Sequence, residues 1–139
     1  MRVVFDTNVL VAAARSQGGA SFALVSMLPT QQFELAISIP LYLEYLDVLQ
    51  PPANIPANQT PEDVLGFIRK LLGYSHKQRI YFGWRPALKD PNDDFVLELA
   101  IASQSSYIVT FNAKDFINIE LFGIETISPA DFLKMVRKI

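Results

Sequence analysis

Asp6 directly follows the apolar run Arg2-Val-Val-Phe5, Glu44 stands in a helical segment, and Asp94 stands at the head of another. Carboxylates far apart along a chain that meet in one cleft repel and raise each other's pKa values. A bound divalent ion removes that penalty, and a set of oxygen-only ligands selects magnesium or manganese over zinc. An ion so held can activate a water and offset the charge that builds on a phosphodiester. The reaction class these acids point to is therefore metal-dependent phosphodiester hydrolysis. No Gly-rich phosphate loop, G-x-S-x-G elbow or G-x-G-x-x-G fingerprint competes with it. The chain has no cysteine and a single histidine, His76, which removes thiolate zinc sites, iron–sulfur clusters, cysteine nucleophiles and multi-histidine metal centres.

Each acid also has a plainer explanation. Asp6 can cap the helix that follows it, although Thr7 and Asn8 can cap as well and leave the carboxylate free for other work. Glu44 has Leu41 and Val48 three and four positions away, on the apolar stripe of its helix. An unpaired carboxylate there is costly and one facing a cation is not, while the alternative is an exposed helix edge with Asp47 as its companion. Asp93 and Asp94 fall in a first helical turn, where acids balance the dipole. What favours chemistry is the group, because the elements around these residues place Asp6, Glu44 and Asp94 near one rim.

Those elements alternate. Arg2–Phe5 is a β-branched and aromatic run that predicts a buried strand, with helices over Val9–Ala14 and Ser21–Leu28. Glu34–Ile39 predicts a second strand and Leu41–Leu49 a helix. The four prolines from Gln50 through Pro61 mark a loop, and Pro61-Glu62-Asp63 opens a helix ending near Gly73. Gln78–Phe82 is a candidate third strand and Phe95–Ser103 a helix headed by Asp90-Pro-Asn-Asp-Asp94. Tyr107–Thr110 and Glu125–Ile127 are strands, and Ser128-Pro-Ala-Asp131 starts the last helix. Alternation of this kind predicts an α/β fold, a parallel sheet covered by helices on both faces. Ligands of such sheets bind outside the carboxyl ends of the strands, where Asp6 sits.

Charge is divided along the chain. From Arg69 to Lys89 there are six basic residues (Arg69, Lys70, Lys77, Arg79, Arg85, Lys89), His76 and no acid, with Tyr74, Tyr81, Phe82 and Trp84 interleaved. The remaining residues hold six basic against fourteen acidic side chains, and the formal net charge is −2. Basic side chains can track a phosphate backbone while aromatics stack on unpaired bases. A solvated helix end with core aromatics is the alternative. Composition adds bounds: 139 residues suit one domain, and 19% charged residues fall below the roughly 25% usual for soluble domains. Such a chain has surface to bury against a partner. No apolar run approaches the ~20 residues of a membrane span, and Asp6 and Asn8 interrupt the apolar N-terminus, against a signal peptide. The expectation is a cytoplasmic protein.

With these residues in view, the chain resembles the PIN-domain family, and within it the VapC-like toxins of bacterial toxin–antitoxin pairs. The likeness covers nearly the whole chain. It rests on Val-Val-Phe-Asp6-Thr7-Asn8-Val-Leu, on Glu44, on Asp90-Pro-Asn-Asp-Asp94 ahead of an Ala-containing helix, and on Tyr-Ile-Val-Thr110-Phe-Asn112-Ala-Lys-Asp115-Phe. Each motif is weak alone, and the four in order are specific. The resemblance implies a single domain over residues 1–139, a three-layer Rossmann-like α/β/α sandwich with about five parallel strands, and a Mg²⁺- or Mn²⁺-dependent ribonuclease. The family's acidic positions carry over to Asp6, Glu44 and Asp94. A fourth falls on Asn112, a departure, since an amide offers oxygen without charge; Asp115 is the candidate to replace it. Thr7, Asn8, Asp93 and Thr110 would orient the ligands. The family also implies RNA as substrate, an antitoxin as partner and a homodimer. Two other classes stand beside this one: a PIN-fold module that binds RNA or protein without cutting, which Asn112 favours, and a hydrolase of small phosphoesters.

Overall fold

The computed structural model describes residues 1–51, 55, 58–80 and 91–138, without the side chains of residues 91 and 92. Five parallel strands form the centre: β1 (Arg2–Phe5), β2 (Glu34–Ile37), β3 (His76–Lys77), β4 (Tyr107–Val109) and β5 (Glu125–Ile127). They are ordered β3-β2-β1-β4-β5. Val3, Val4 and Phe5 are wholly buried, as a parallel strand covered on both faces requires. The helices are α1 (Thr7–Arg15), α2 (Ala20–Ser26), α3 (Ile39–Leu49), α4 (Pro61–Tyr74), α5 (Pro91–Ala102) and α6 (Pro129–Arg137). Helix α5 lies across β1, β2 and β4, while α1 packs on α2 and α3, and α2 on α6. Sheet and helices make the three-layer α/β/α sandwich that the alternation predicts.

Where elements differ from their expected bounds, the cause is local. Strand β2 stops at Ile37 because Ser38 caps α3, its hydroxyl accepting from the Leu41 N–H at 3.4 Å. That stop also shortens β3. Only Ala36 and Ile37 are available to pair with His76 and Lys77, and the last ladder bond runs from the Gln78 N–H to the Ile37 carbonyl. The third strand therefore falls at 76–77 rather than at Gln78–Phe82; Gln78, Arg79 and Ile80 leave the sheet, and Tyr81 and Phe82 lie outside the described residues. Upstream, α4 passes through Gly73 to Tyr74 before Ser75 ends it. Its start is a full capping box, with the Thr60 hydroxyl accepting from the Asp63 N–H and the Asp63 carboxylate accepting from the Thr60 N–H.

At the amino edge of the sheet, Arg2 and Glu34 are paired in register and joined by a 2.8 Å ion pair. The guanidinium hydrogen bond holds the Glu34 carboxyl below its usual range. Both groups are exposed, so the pair contributes at most about 1 kcal/mol. Among the described residues no helix is long and apolar enough to cross a membrane.

Candidate active site

Strand order reverses between β1 and β4: the chain moves outward from β1 through β2 to β3, then returns to β4 on the other side. In open parallel sheets this reversal opens a crevice at the strands' carboxyl ends. Asp6 leaves β1 at that point and Thr110 leaves β4 beside it. Their backbones stay in the ladder, the Asp6 N–H donating to the Val109 carbonyl at 3.0 Å and the Thr110 N–H to the Ile127 carbonyl at 3.0 Å.

A hydrogen-bond network joins the side chains here. Asp6, 8% exposed, caps α1, with Oδ1 accepting from the Thr7 N–H at 2.8 Å. The cap therefore does use Asp6. Thr7 and Asn8 are already inside the helix, so neither takes the position before it. The carboxylate also serves the crevice. Its Oδ2 accepts from the Thr110 hydroxyl at 2.8 Å and from Asn8 Nδ2 at 3.3 Å. Thr7 then turns to α3, its hydroxyl donating to Glu44 Oε2 at 2.8 Å. Asp6 and Glu44, thirty-eight positions apart, are thus held on opposite sides of one threonine. Thr110 Oγ1 accepts from the Asn112 N–H at 3.0 Å, tying the next turn to the same network.

Beneath the acids, the buried Tyr45 hydroxyl donates to the carbonyl of Phe5, the residue before Asp6. Burial first, and then the negative charges of Asp6 and Glu44, push the Tyr45 phenol well above its ordinary value, so it stays a donor. Tyr45→Phe removes the donor and leaves a buried acceptor, at an expected cost of about 1–3 kcal/mol. Thermal melting checks this, and an unchanged melting temperature would show that the bond carries no net stability.

The other expected residues divide. Asp94 is buried in the first turn of α5, at 7% exposed, with Asp93 half-buried beside it. A helix that leads into a parallel strand runs antiparallel to it, so its first turn lies at the carboxyl rim. Among the described residues, however, no three His, Cys, Asp or Glu side chains form a group that could hold a metal ion. A preformed cage of Asp6, Glu44, Asp94, Asn112 and Asp115 is not assembled. Asn112 reaches the network through its backbone, and Asp115 sits one 3-10 turn further on (Ala113–Asp115), exposed. The basic residues are spread over two elements. Arg69 and Lys70 are exposed on α4, Lys77 and Arg79 are exposed on and just after β3, and Arg85 and Lys89 lie outside the described residues. One buried acid was not anticipated: Glu98, four residues after Asp94 and 6% exposed. The i, i+4 spacing that puts both on one face of α5 was visible in the sequence.

Donor chemistry, not a finished cage, is the test of a metal here. Asp6 and Glu44 offer hard oxygen donors supported by hydroxyls, with no nitrogen or sulfur among them. Magnesium typically takes one or two carboxylates and completes its shell with water and substrate phosphates. The residues fit such an ion. A shallow depression of about 580 Å³ starts at Thr7 and Asn8 and passes Val11 and Ala12 to Arg15, with Val48 of α3 also in its wall. A second, more enclosed cavity of about 450 Å³ lies between α2 and α4, lined by Phe22, Val25, Val64, Phe67 and Leu71. Gln17, Gln59, Asp63 and Lys70 also line it, but neither Asp6, Glu44 nor a side chain bonded to them does, so the depression that begins at Thr7 is the candidate substrate path.

The sequence model of the family described as PIN domain matches residues 2–114. No curated protein gives a significant match. Among solved structures, the chain is similar to VapBC-1 from nontypeable Haemophilus influenzae, with a TM-score of 0.63 and 18% identity over 94% of this chain and 99% of that one. It is also similar to VapBC2 from Rickettsia felis bound to a DNA fragment from their promoter, with a TM-score of 0.60 and 18% identity over 91% of this chain and 98% of that one. At such identity the likeness is one of fold.

Proposed function

The chain belongs to the PIN domain family, and from that premise we propose that it is a metal-dependent endoribonuclease, the toxin half of a type II toxin–antitoxin pair. The juxtaposition of Asp6 and Glu44 through Thr7 at the sheet's switch point carries this reading. Mg²⁺ or Mn²⁺, bound by Asp6 and Glu44 with Asp94 at the rim, would supply Lewis-acid stabilisation of the phosphodiester and a nucleophile at neutral pH. The protein's part is positioning. Thr7 and Thr110 fix both carboxylates before substrate arrives, so little reorganisation remains for the reaction itself. Asn8 holds Asp6 and Thr110 in register. Lys77 and Arg79, exposed on and just after β3, would meet phosphates. Arg69, Lys70, Arg85 and Lys89 belong to the same basic run, which would guide single-stranded RNA.

The two solved structures named above are of VapBC, which supports an antitoxin as partner. A homodimer is supported by Ile39 and Leu43, exposed one turn apart on α3. The expected compartment remains the cytoplasm. A second reading, a PIN-fold module that binds RNA or protein without cutting, is favoured by Asn112 at the fourth acidic position and by the open arrangement of the acids.

One experiment separates the classes. Incubation with generic single-stranded RNA and Mn²⁺ is expected to give cleavage that stops with EDTA and returns with excess Mn²⁺. Binding without cleavage selects the module. Turnover of small phosphoesters but not of RNA selects the third class.

A further inference from the structure

Phe111 separates Thr110 from Asn112, and its side chain is 54% exposed. The backbone on either side of it belongs to the carboxylate network. Asn8 Oδ1 accepts the Phe111 N–H at 3.4 Å, and Thr110 Oγ1, which donates to Asp6, accepts the Asn112 N–H at 3.0 Å. The ring has no place in the core cluster, while Ile108 and Val109, just before it, are wholly buried. The backbone that carries this ring is therefore fastened beside the carboxylates, and much of the side chain's surface is in water.

That position has a chemical consequence. A nuclease must hold an anionic chain beside an acidic pocket, where local charge repels the backbone. A π face is neutral and attracts bases of any sequence by stacking. We propose that Phe111 is a stacking platform for an unpaired nucleobase of single-stranded RNA, next to the bond-breaking carboxylates. This rests on the nuclease reading above. Phe111 is a binding residue and takes no part in proton transfer. Ile117, Leu121 and Phe122 are also exposed further along the same connection, so a protein surface is the competing use. Phe111 is set apart from them by its direct tie to Asn8.

The test compares the wild type with Phe111→Ala, Phe111→Leu and Phe111→Trp. Binding is read by anisotropy with a fluorescein-labelled single-stranded RNA and with an abasic ribose-phosphate chain of equal length, with Ca²⁺ replacing Mg²⁺ or Mn²⁺. One stacked base corresponds to about 5- to 150-fold in affinity. The expected result is a loss of that size for Ala and Leu on RNA and retention by Trp, with all four proteins alike on the abasic chain. Ala and Leu variants that bind RNA as tightly as wild type overturn the stacking role while RNA binding stands. Equal losses on both chains overturn it too, because no base is then involved. So does a change of oligomeric state in Phe111→Ala with RNA binding unchanged, which assigns the ring to a protein contact. A wild type that binds neither chain removes the RNA reading itself and the stacking role with it.

Discussion

An Asp6→Asn protein is expected to fold and to lose RNA cleavage by about a hundredfold or more, the scale set by removing one preorganised electrostatic group from an active site. Asparagine keeps the size of the side chain and its carbonyl can still accept from the Thr7 N–H. What disappears is the negative charge and one acceptor: the Thr110 hydroxyl now meets an amide NH₂ where it had donated to Oδ2. That mismatch is expected to cost about 1–3 kcal/mol, a visible shift in melting but not unfolding. Glu44→Gln is the cleaner partner, since Gln Oε1 can take the Thr7 hydroxyl bond without rearrangement. It should match Asp6→Asn in lost activity and leave the melting temperature nearly in place. If the two acids act as a unit, the double variant loses little more than either single one. Rates in Mn²⁺ with a fluorogenic RNA, together with melting curves, measure all of this. The binding-module alternative predicts the opposite sign in metal-free buffer: removing charge beside a phosphate strengthens RNA binding, and there is no cleavage to lose. Wild-type rates in both single variants would rule out the carboxylate site.

Legibility in the sequence followed the range of the forces involved. Strand β1 could be read because Val3, Val4 and Phe5 are apolar without alternation, and burial on both faces is decided by residue type alone. The same holds for the start of α4, where Thr60, Pro61 and Asp63 carry their capping chemistry within four residues. Asp6, Glu44, Asp94 and Thr110 could be singled out because the resemblance carried their order and the strand–helix alternation supplied a common rim. The bonds between them were beyond reach. That the Thr7 hydroxyl would reach Glu44 depends on the packing of α1 against α3, and no local pattern encodes it. Strand β3 was misplaced for a similar reason. Its length is set by where β2 stops, and β2 stops because of the Ser38 cap, thirty-eight residues before His76. The basic run was read as one strip because it is continuous in sequence. Folding parts it at Ser75, between the exposed face of α4 and the sheet edge.

Phe33→Ala should do to stability what Asp6→Asn does to activity. Phe33 is buried just before β2, its ring edge-on to Phe132 of α6 at 5.1 Å and tilted against Phe5 of β1 at 6.1 Å. Tyr107 of β4 also meets Phe132, at 6.1 Å. The Phe33 ring therefore links β1 to the last helix, and truncating it forfeits both burial and aromatic contacts. Phenylalanine-to-alanine changes in cores cost about 3–5 kcal/mol, against a total stability of about 5–15 kcal/mol for a domain. At about 3–5 °C per kcal/mol for a chain of this size, melting is expected to fall by roughly 10–20 °C. Phe33 leads into β2 at the amino ends of the strands, and although its ring reaches Phe5, the residue before Asp6, the Asp6 carboxylate is held by its own bonds to Thr7, Asn8 and Thr110. The folded fraction of Phe33→Ala should accordingly cut RNA with an unchanged kcat at low temperature, where enough of it remains native. Phe33→Leu, which keeps most of the volume, should recover much of the loss. A Phe33→Ala protein that melts normally would show that the aromatic contact is dispensable. One that melts low and also loses kcat in its native fraction would show that the two edges of the sheet are coupled, and that the carboxylate network is not held by its own hydrogen bonds alone.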